Sequence, residues 1–88
     1  MADYTVTFAR SAGKELSALP DEVAERVLPA VEKLAANPRP AGAVKLQGFK
    51  HLWRIRVGDY RVVFSVDEKA RVVDVAHIRH RKDVYRGL

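Results

Sequence analysis

Leu52-Trp53-Arg54-Ile55-Arg56-Val57, then Gly58-Asp59, then Tyr60-Arg61-Val62-Val63-Phe64-Ser65-Val66 is the stretch on which the fold turns. Two runs rich in β-branched and aromatic residues, separated by two residues of which the first is Gly, form a tight β-hairpin, and Gly at the first loop position suits a type II′ turn. A two-residue loop fixes the register: Val57 opposite Tyr60, Arg56 opposite Arg61, Ile55 opposite Val62, Arg54 opposite Val63, Trp53 opposite Phe64. Side chains alternate faces along a strand, so Trp53, Ile55, Val57, Tyr60, Val62 and Phe64 share one side while Arg54, Arg56 and Arg61 share the other. One face is core; the other is cationic.

Like charges directly opposite on neighbouring strands repel. A chain that keeps Arg56 against Arg61 either leaves both to water as a solubilising surface or has an anion to place there, and the hairpin by itself leaves both readings open.

Eighty-eight residues make one small domain, 1–88, with room for a single core. A hydrophobic content of 48% with 31% charged residues belongs to a folded globular chain rather than a disordered one. The absence of Cys excludes disulfides and thiolate metal sites and fits a reducing compartment. The start, Met-Ala-Asp-Tyr-Thr-Val-Thr-Phe, has no basic region followed by a long apolar run. Nor does any stretch approach the roughly 18 to 20 apolar residues of a membrane span, so a cytoplasmic protein is expected. The net charge of +5 is uneven: residues 1–43 carry −1 and residues 44–88 carry +6. A positive field concentrated in one half favours nucleic acid, an anionic surface or an acidic protein as partner.

Tyr4-Thr5-Val6-Thr7-Phe8 alternates and predicts a first strand with Tyr4, Val6 and Phe8 on one face. Ala12, Leu16 and Leu19 have the spacing of a helix stripe, closed by Leu19-Pro20. Pro20, with Asp21 and Glu22 in the first turn, opens a second helix whose Val23, Val27, Val31 and Leu34 fall on one face until Asn37-Pro38-Arg39-Pro40 ends it. Pro29 inside that pattern predicts a kink or a break into two pieces. Residues 41–50 form a connector in which Val44-Lys45-Leu46-Gln47 has the character of a short extended piece. After the hairpin, Asp67-Glu68-Lys69-Ala70 is a polar turn, and Arg71 to His80 a long third strand of the meander. The fold expected is α+β: an N-terminal strand, an antiparallel helical hairpin, then a three-stranded antiparallel meander, in one sheet with the helices on one face.

An even-numbered loop before the last strand places Val73, Val75 and His77 on the Phe64 face, with Val72, Asp74, Ala76 and Ile78 beside Arg61. Strict alternation then turns His80, and not Arg81, to the cationic side; a bulge near the strand end reverses this.

The ordered set of Leu-Pro at the helix link, Lys45-Leu46-x-Gly48, Leu52-Trp-Arg-Ile-Arg, Gly58-Asp-Tyr-Arg-Val-Val-Phe and His77-Ile-x-His-Arg-x-Asp-Val-Tyr85-Arg resembles the RelE/ParE superfamily of bacterial toxins, and more closely its RelE branch. The likeness covers nearly the whole chain. It implies a toxin of a type II toxin–antitoxin pair that enters the ribosomal A site and cleaves mRNA by attack of the ribose 2′-hydroxyl on the adjacent phosphate, without metal or cofactor. The implied partners are a cognate antitoxin, the ribosome and mRNA, and no membrane. The family's two basic residues on the second strand fall on Arg54 and Arg56, its third-strand arginine on Arg61, its last-strand basic residue on Arg81 and its tyrosine on Tyr85. Two departures stand out: Arg replaces the better-known Lys at 54 and 56, and the Arg81 to Tyr85 separation is shorter by two residues.

Such a cleavage needs a proton acceptor, charge stabilisation at the phosphorane and a proton for the departing 5′-oxygen. Arginine is a poor base whose planar fork suits phosphate oxygens. Arg61 and Arg56 are therefore the candidates for the developing charge, Arg54 for positioning the backbone and Arg81 for the leaving oxygen. Tyr85 is a candidate base if surrounding cations favour its phenolate, or else an aromatic that anchors the tail. His80 is a candidate proton shuttle and RNA contact, since imidazole exchanges protons near neutrality. Lys45 and Lys50 are candidate phosphate contacts or solvated lysines, and His51, just before the hairpin, is equally compatible with a proton-transfer role and with plain surface. His77 and His80, three apart on a strand, fall on opposite faces and do not share a metal. Two other functions are compatible with the same fold: a ParE-like inhibitor of DNA gyrase, and a non-catalytic relative that only binds its antitoxin.

Overall fold

The computed structural model describes residues 4–49 and 51–84. The elements in chain order are β1 (Thr5–Phe8), α1 (Arg10–Ser17), α2 (Asp21–Glu32) tightening into a 3-10 turn at Lys33–Ala35, β2 (Val44–Lys45), β3 (Leu52–Val57), β4 (Tyr60–Asp67) and β5 (Val72–His80). They build a five-stranded sheet in the order β1-β5-β4-β3-β2. β3, β4 and β5 form the antiparallel meander, and β1 lies beside β5 in parallel.

The β3–β4 register is the one a two-residue turn dictates, from Val57 opposite Tyr60 to Trp53 opposite Phe64. Gly58 has φ 58, and Asp59 is not in the positive-φ region, as a type II′ turn requires. Asp67 then pairs with Val72, so the next loop is even-numbered and Val73 and Val75 join Phe64.

Both helices cover one face. Ala12, Val27, Val31 and Leu34 interlock with Ile55, Val62, Phe64, Val73, Val75 and Ile78, all buried, with Leu16, Leu19, Val23, Trp53 and Val57 at the margin. Burial of that apolar set is what joins helices to sheet. Trp53 is half-buried rather than enclosed, with the Arg39 guanidinium 5.3 Å over its ring. Tyr4 and Val6 pack against this core, whereas Phe8 stays 39% exposed. The opposite, outer face carries a smaller cluster of Leu46, Val63 and Val84 with Leu52 against it.

Two expectations are corrected. Of the kink or break expected at Pro29, the break does not occur: α2 runs on to Glu32. Pro29 forgoes the hydrogen bond an N–H there would donate to the Glu25 carbonyl, and the helix then finishes in the tighter 3-10 turn at Lys33–Ala35. The second correction concerns β5. Phe64 pairs with Val75 but Val63 pairs with His77, so Ala76 is an extra residue, a β-bulge. His77 therefore does not share the Phe64 face. Ile78 does not lie beside Arg61; it enters the core, 2% exposed.

Candidate nucleic-acid interface

Arg54 and Arg56 on β3 and Arg61 on β4 share the outer face, with Arg56 directly opposite Arg61. The bulge brings a further residue to them. Past Ala76 the register places Arg79 directly opposite Arg61, so Arg56, Arg61 and Arg79 form a line across three adjacent strands. Neighbouring strands lie about 4.8 Å apart, so the three side chains leave the sheet from adjacent positions on one face. Arg61 Nη1 donates to the carbonyls of Gly58 and Tyr60, at 3.2 and 3.0 Å, which folds its guanidinium over the hairpin turn. Arg79 Nε donates to the Glu15 carboxylate at 2.5 Å.

Strict alternation along the last strand assigns Arg79 to the core side, which hides it from the sequence. A signal was present: Val73 and Val75 keep the two-residue period, and the next buried apolar residue, Ile78, is three further on. A period-two run broken by a step of three marks an inserted residue. Arg79 also stands two residues further from Tyr85 than Arg81 does, which removes the departure in spacing noted for Arg81.

Arg81 follows the strand. Its N–H donates to the Asp59 carbonyl at 2.7 Å, continuing the ladder beside the hairpin turn, while its Nε lies 4.0 Å from Asp59 Oδ1 with the side chain 60% exposed. His80 pairs with Tyr60, on the parity opposite the arginines, and its ring meets the Tyr60 ring edge-on at 5.4 Å. Its Nδ1 accepts the Lys82 N–H at 3.2 Å. His80 is thus not turned to the cationic side, contrary to strict alternation, and His77 and His80 remain on opposite parities. Lys45 pairs with Trp53 and is exposed, so its parity also differs from that of the arginines. Lys50 and Tyr85 lie outside the described residues. Val84, immediately before Tyr85, is 2% exposed and packs with Val63 on the outer face, where Val63 has Arg54 opposite on β3. Among the described residues, no three His, Asp or Glu side chains converge to hold a metal ion, and no helix is long and apolar enough to cross a membrane.

The line of Arg56, Arg61 and Arg79, with Val84 packed nearby against Val63, gives the outer face of this small α+β domain a cationic surface. The family model for the ParE toxin of the type II toxin–antitoxin system, parDE, matches residues 6–85. The chain belongs to that toxin family, as a RelE-like member. Toxin RelE of Mycobacterium tuberculosis is 32% identical over 84 residues, covering 94% of this chain and 87% of that protein. Toxin RelG of the same organism is 29% identical over 84 residues, covering 94% and 97%. Of solved structures, the archaeal RelE–RelB complex from Pyrococcus horikoshii aligns with a TM-score of 0.79 at 32% identity, covering 90% of this chain and 96% of that one. The intact E. coli RelBE toxin–antitoxin complex aligns with a TM-score of 0.77 at 28% identity, covering 88% and 95%.

Proposed function

We propose that this toxin is a ribosome-dependent mRNA endoribonuclease that stops translation by cutting the message in the A site, with Arg56, Arg61 and Arg79 gripping the scissile phosphate. The observation that carries this is the line of three arginines across β3, β4 and β5. Like charges so placed destabilise a bare sheet, and a bound polyanion offsets that cost.

The ribose 2′-hydroxyl attacks the adjacent phosphorus, a 2′-O–P bond forms and the P–O5′ bond breaks. The 2′-proton passes to a base and a proton reaches the departing 5′-oxygen, leaving a 2′,3′-cyclic phosphate and a 5′-hydroxyl. Arg61, central in the line, stabilises charge on the phosphorane together with Arg56. Arg79 holds the same phosphate from the other side, and Arg54 and Arg81 hold the flanking backbone. Tyr85 is the base: its neighbour in the chain, Val84, is anchored against Val63 on the arginine face, and guanidiniums close to a phenol would favour loss of its proton. His80 is the weaker candidate, because its parity points away from Arg61.

The partner that silences the toxin is an antitoxin, as the RelB-bound relatives support, and an acidic segment would complement the basic face. The site of action is the cytoplasm. A second reading, inhibition of DNA gyrase, is favoured by the parDE description of the matching family. Toeprinting of ribosomes on a defined message and supercoiling by gyrase, each with purified toxin, separate the two. Cleavage within the A-site codon with unaffected supercoiling is expected; blocked supercoiling with intact message would transfer the function to gyrase.

A further inference from the structure

We infer that Glu15 is a positioning residue for the arginine line: its carboxylate, set at the uncovered edge of β5, holds Arg79 by Nε and aims that guanidinium at the phosphate. The role presupposes the RNA cleavage proposed above.

β1 ends at Phe8, opposite Val75, while β5 continues to His80. Beyond that point the sheet edge needs other hydrogen-bond partners, and α1 supplies them. Ser11 Oγ donates to the Ala76 carbonyl at 3.1 Å, and one helical turn later Glu15 Oε1 accepts the Ile78 N–H at 3.0 Å. With one carboxylate oxygen fixed by backbone, the other accepts Arg79 Nε at 2.5 Å. His77 Nδ1, buried and without a hydrogen-bond partner among the described residues, lies 3.6 Å from Oε1 on the β5 side of the carboxylate. Neither partner moves freely: the side chains of Arg79 and Glu15 are 21% and 24% exposed.

An arginine side chain carries large rotamer freedom, and a contact to Nε fixes the plane of the whole guanidinium. The same carboxylate puts a negative charge beside a surface meant for polyanions. It therefore weakens RNA attraction while orienting one of the groups that meets the phosphate. A residue that served the fold alone would not produce that opposition.

Single-turnover cleavage of ribosome-bound message, measured against toxin concentration, tests this with Glu15→Gln, whose side-chain carbonyl still accepts the Ile78 N–H. The maximal rate should fall about tenfold or more, as misaimed catalytic groups do. The half-saturating concentration should stay the same or decrease, because a negative charge is gone. In an Arg79→Ala background the same change should cause no further loss of maximal rate. The Arg79 Nε–H resonance should be protected from exchange in the wild type and lose that protection in Glu15→Gln. Wild-type maximal rate in Glu15→Gln, or a further tenfold loss without Arg79, overturns the role of Glu15 and leaves RNA cleavage standing. So does a Glu15→Gln protein unfolded at the assay temperature, which assigns Glu15 to the fold. A wild-type toxin that cuts no ribosome-bound message overturns the proposed function itself, and the role with it.

Discussion

Arg61 and Arg79 stand directly opposite each other on β4 and β5, and Arg56 stands directly opposite Arg61 on its other side. Like charges directly opposite on neighbouring strands oppose folding, less so at Arg79, whose charge is offset by Glu15. Arg61 belongs to both pairs, so it is where stability and function conflict most.

Arg61→Ala is accordingly expected to abolish toxicity while leaving the fold intact. Losing a donor to the developing phosphorane charge should lower cleavage by about 10²-fold to 10³-fold. Relief of the repulsion from Arg56 and Arg79 is set against the hydrogen bonds Arg61 makes, those to the Gly58 and Tyr60 carbonyls among them, so the melting temperature should stay close to that of the wild type. A growth assay and a thermal melt on the same variant check both. Full toxicity of a well-expressed Arg61→Ala protein would remove Arg61 from the mechanism.

Arg56 lies at the exposed end of the line. Its replacement by Ala should weaken RNA binding uniformly across sequences and flatten the dependence of log affinity on log salt by about 0.7 for a single-stranded ligand. Titrations at several salt concentrations measure the slope. An unchanged slope would mean that Arg56 meets no phosphate.

Phe64, fully buried between the helices and the sheet, should cost about 3–5 kcal/mol when replaced by Ala. Trp53, half-buried under the Arg39 guanidinium, should cost about 2 kcal/mol, roughly half the figure for a fully buried aromatic. Urea denaturation of both variants gives the order. If Trp53→Ala leaves stability unchanged and loses RNA binding instead, Trp53 is a stacking platform rather than part of the core.

If Tyr85 is the base, single-turnover cleavage should quicken with rising pH, and Tyr85→Phe should lose about 10²-fold to 10⁴-fold in rate together with most of that dependence. Ribosome affinity should change far less. His80→Ala should leave the profile in place, since His80 is on the parity opposite Arg61. A wild-type rate in Tyr85→Phe with a flat profile in His80→Ala would make His80 the base and Tyr85 an anchor of the tail.

Relations confined to one hairpin were legible in the residues: the pairing from Val57–Tyr60 to Trp53–Phe64, and the meeting of Arg56 with Arg61 on the face away from Phe64. A two-residue turn leaves a single register, and strand alternation assigns every side chain from there, so nothing distant is needed. The helix stripes through Ala12, Leu16, Val27 and Val31 were legible on the same ground, because local periodicity states which side seeks the core.

What only the tertiary structure decided lies along β5. Whether Ala76 is accommodated as an extra residue depends on burying Ile78 under the helices, a gain that exists only once sheet and helices are packed together. That packing turns His77 outward and sets Arg79 against Arg61. The parallel pairing of β1 with β5, and the reach of Glu15 to an edge that β1 leaves uncovered, join residues more than sixty positions apart. No spacing in the chain encodes such contacts; they arise where the core brings two distant segments side by side.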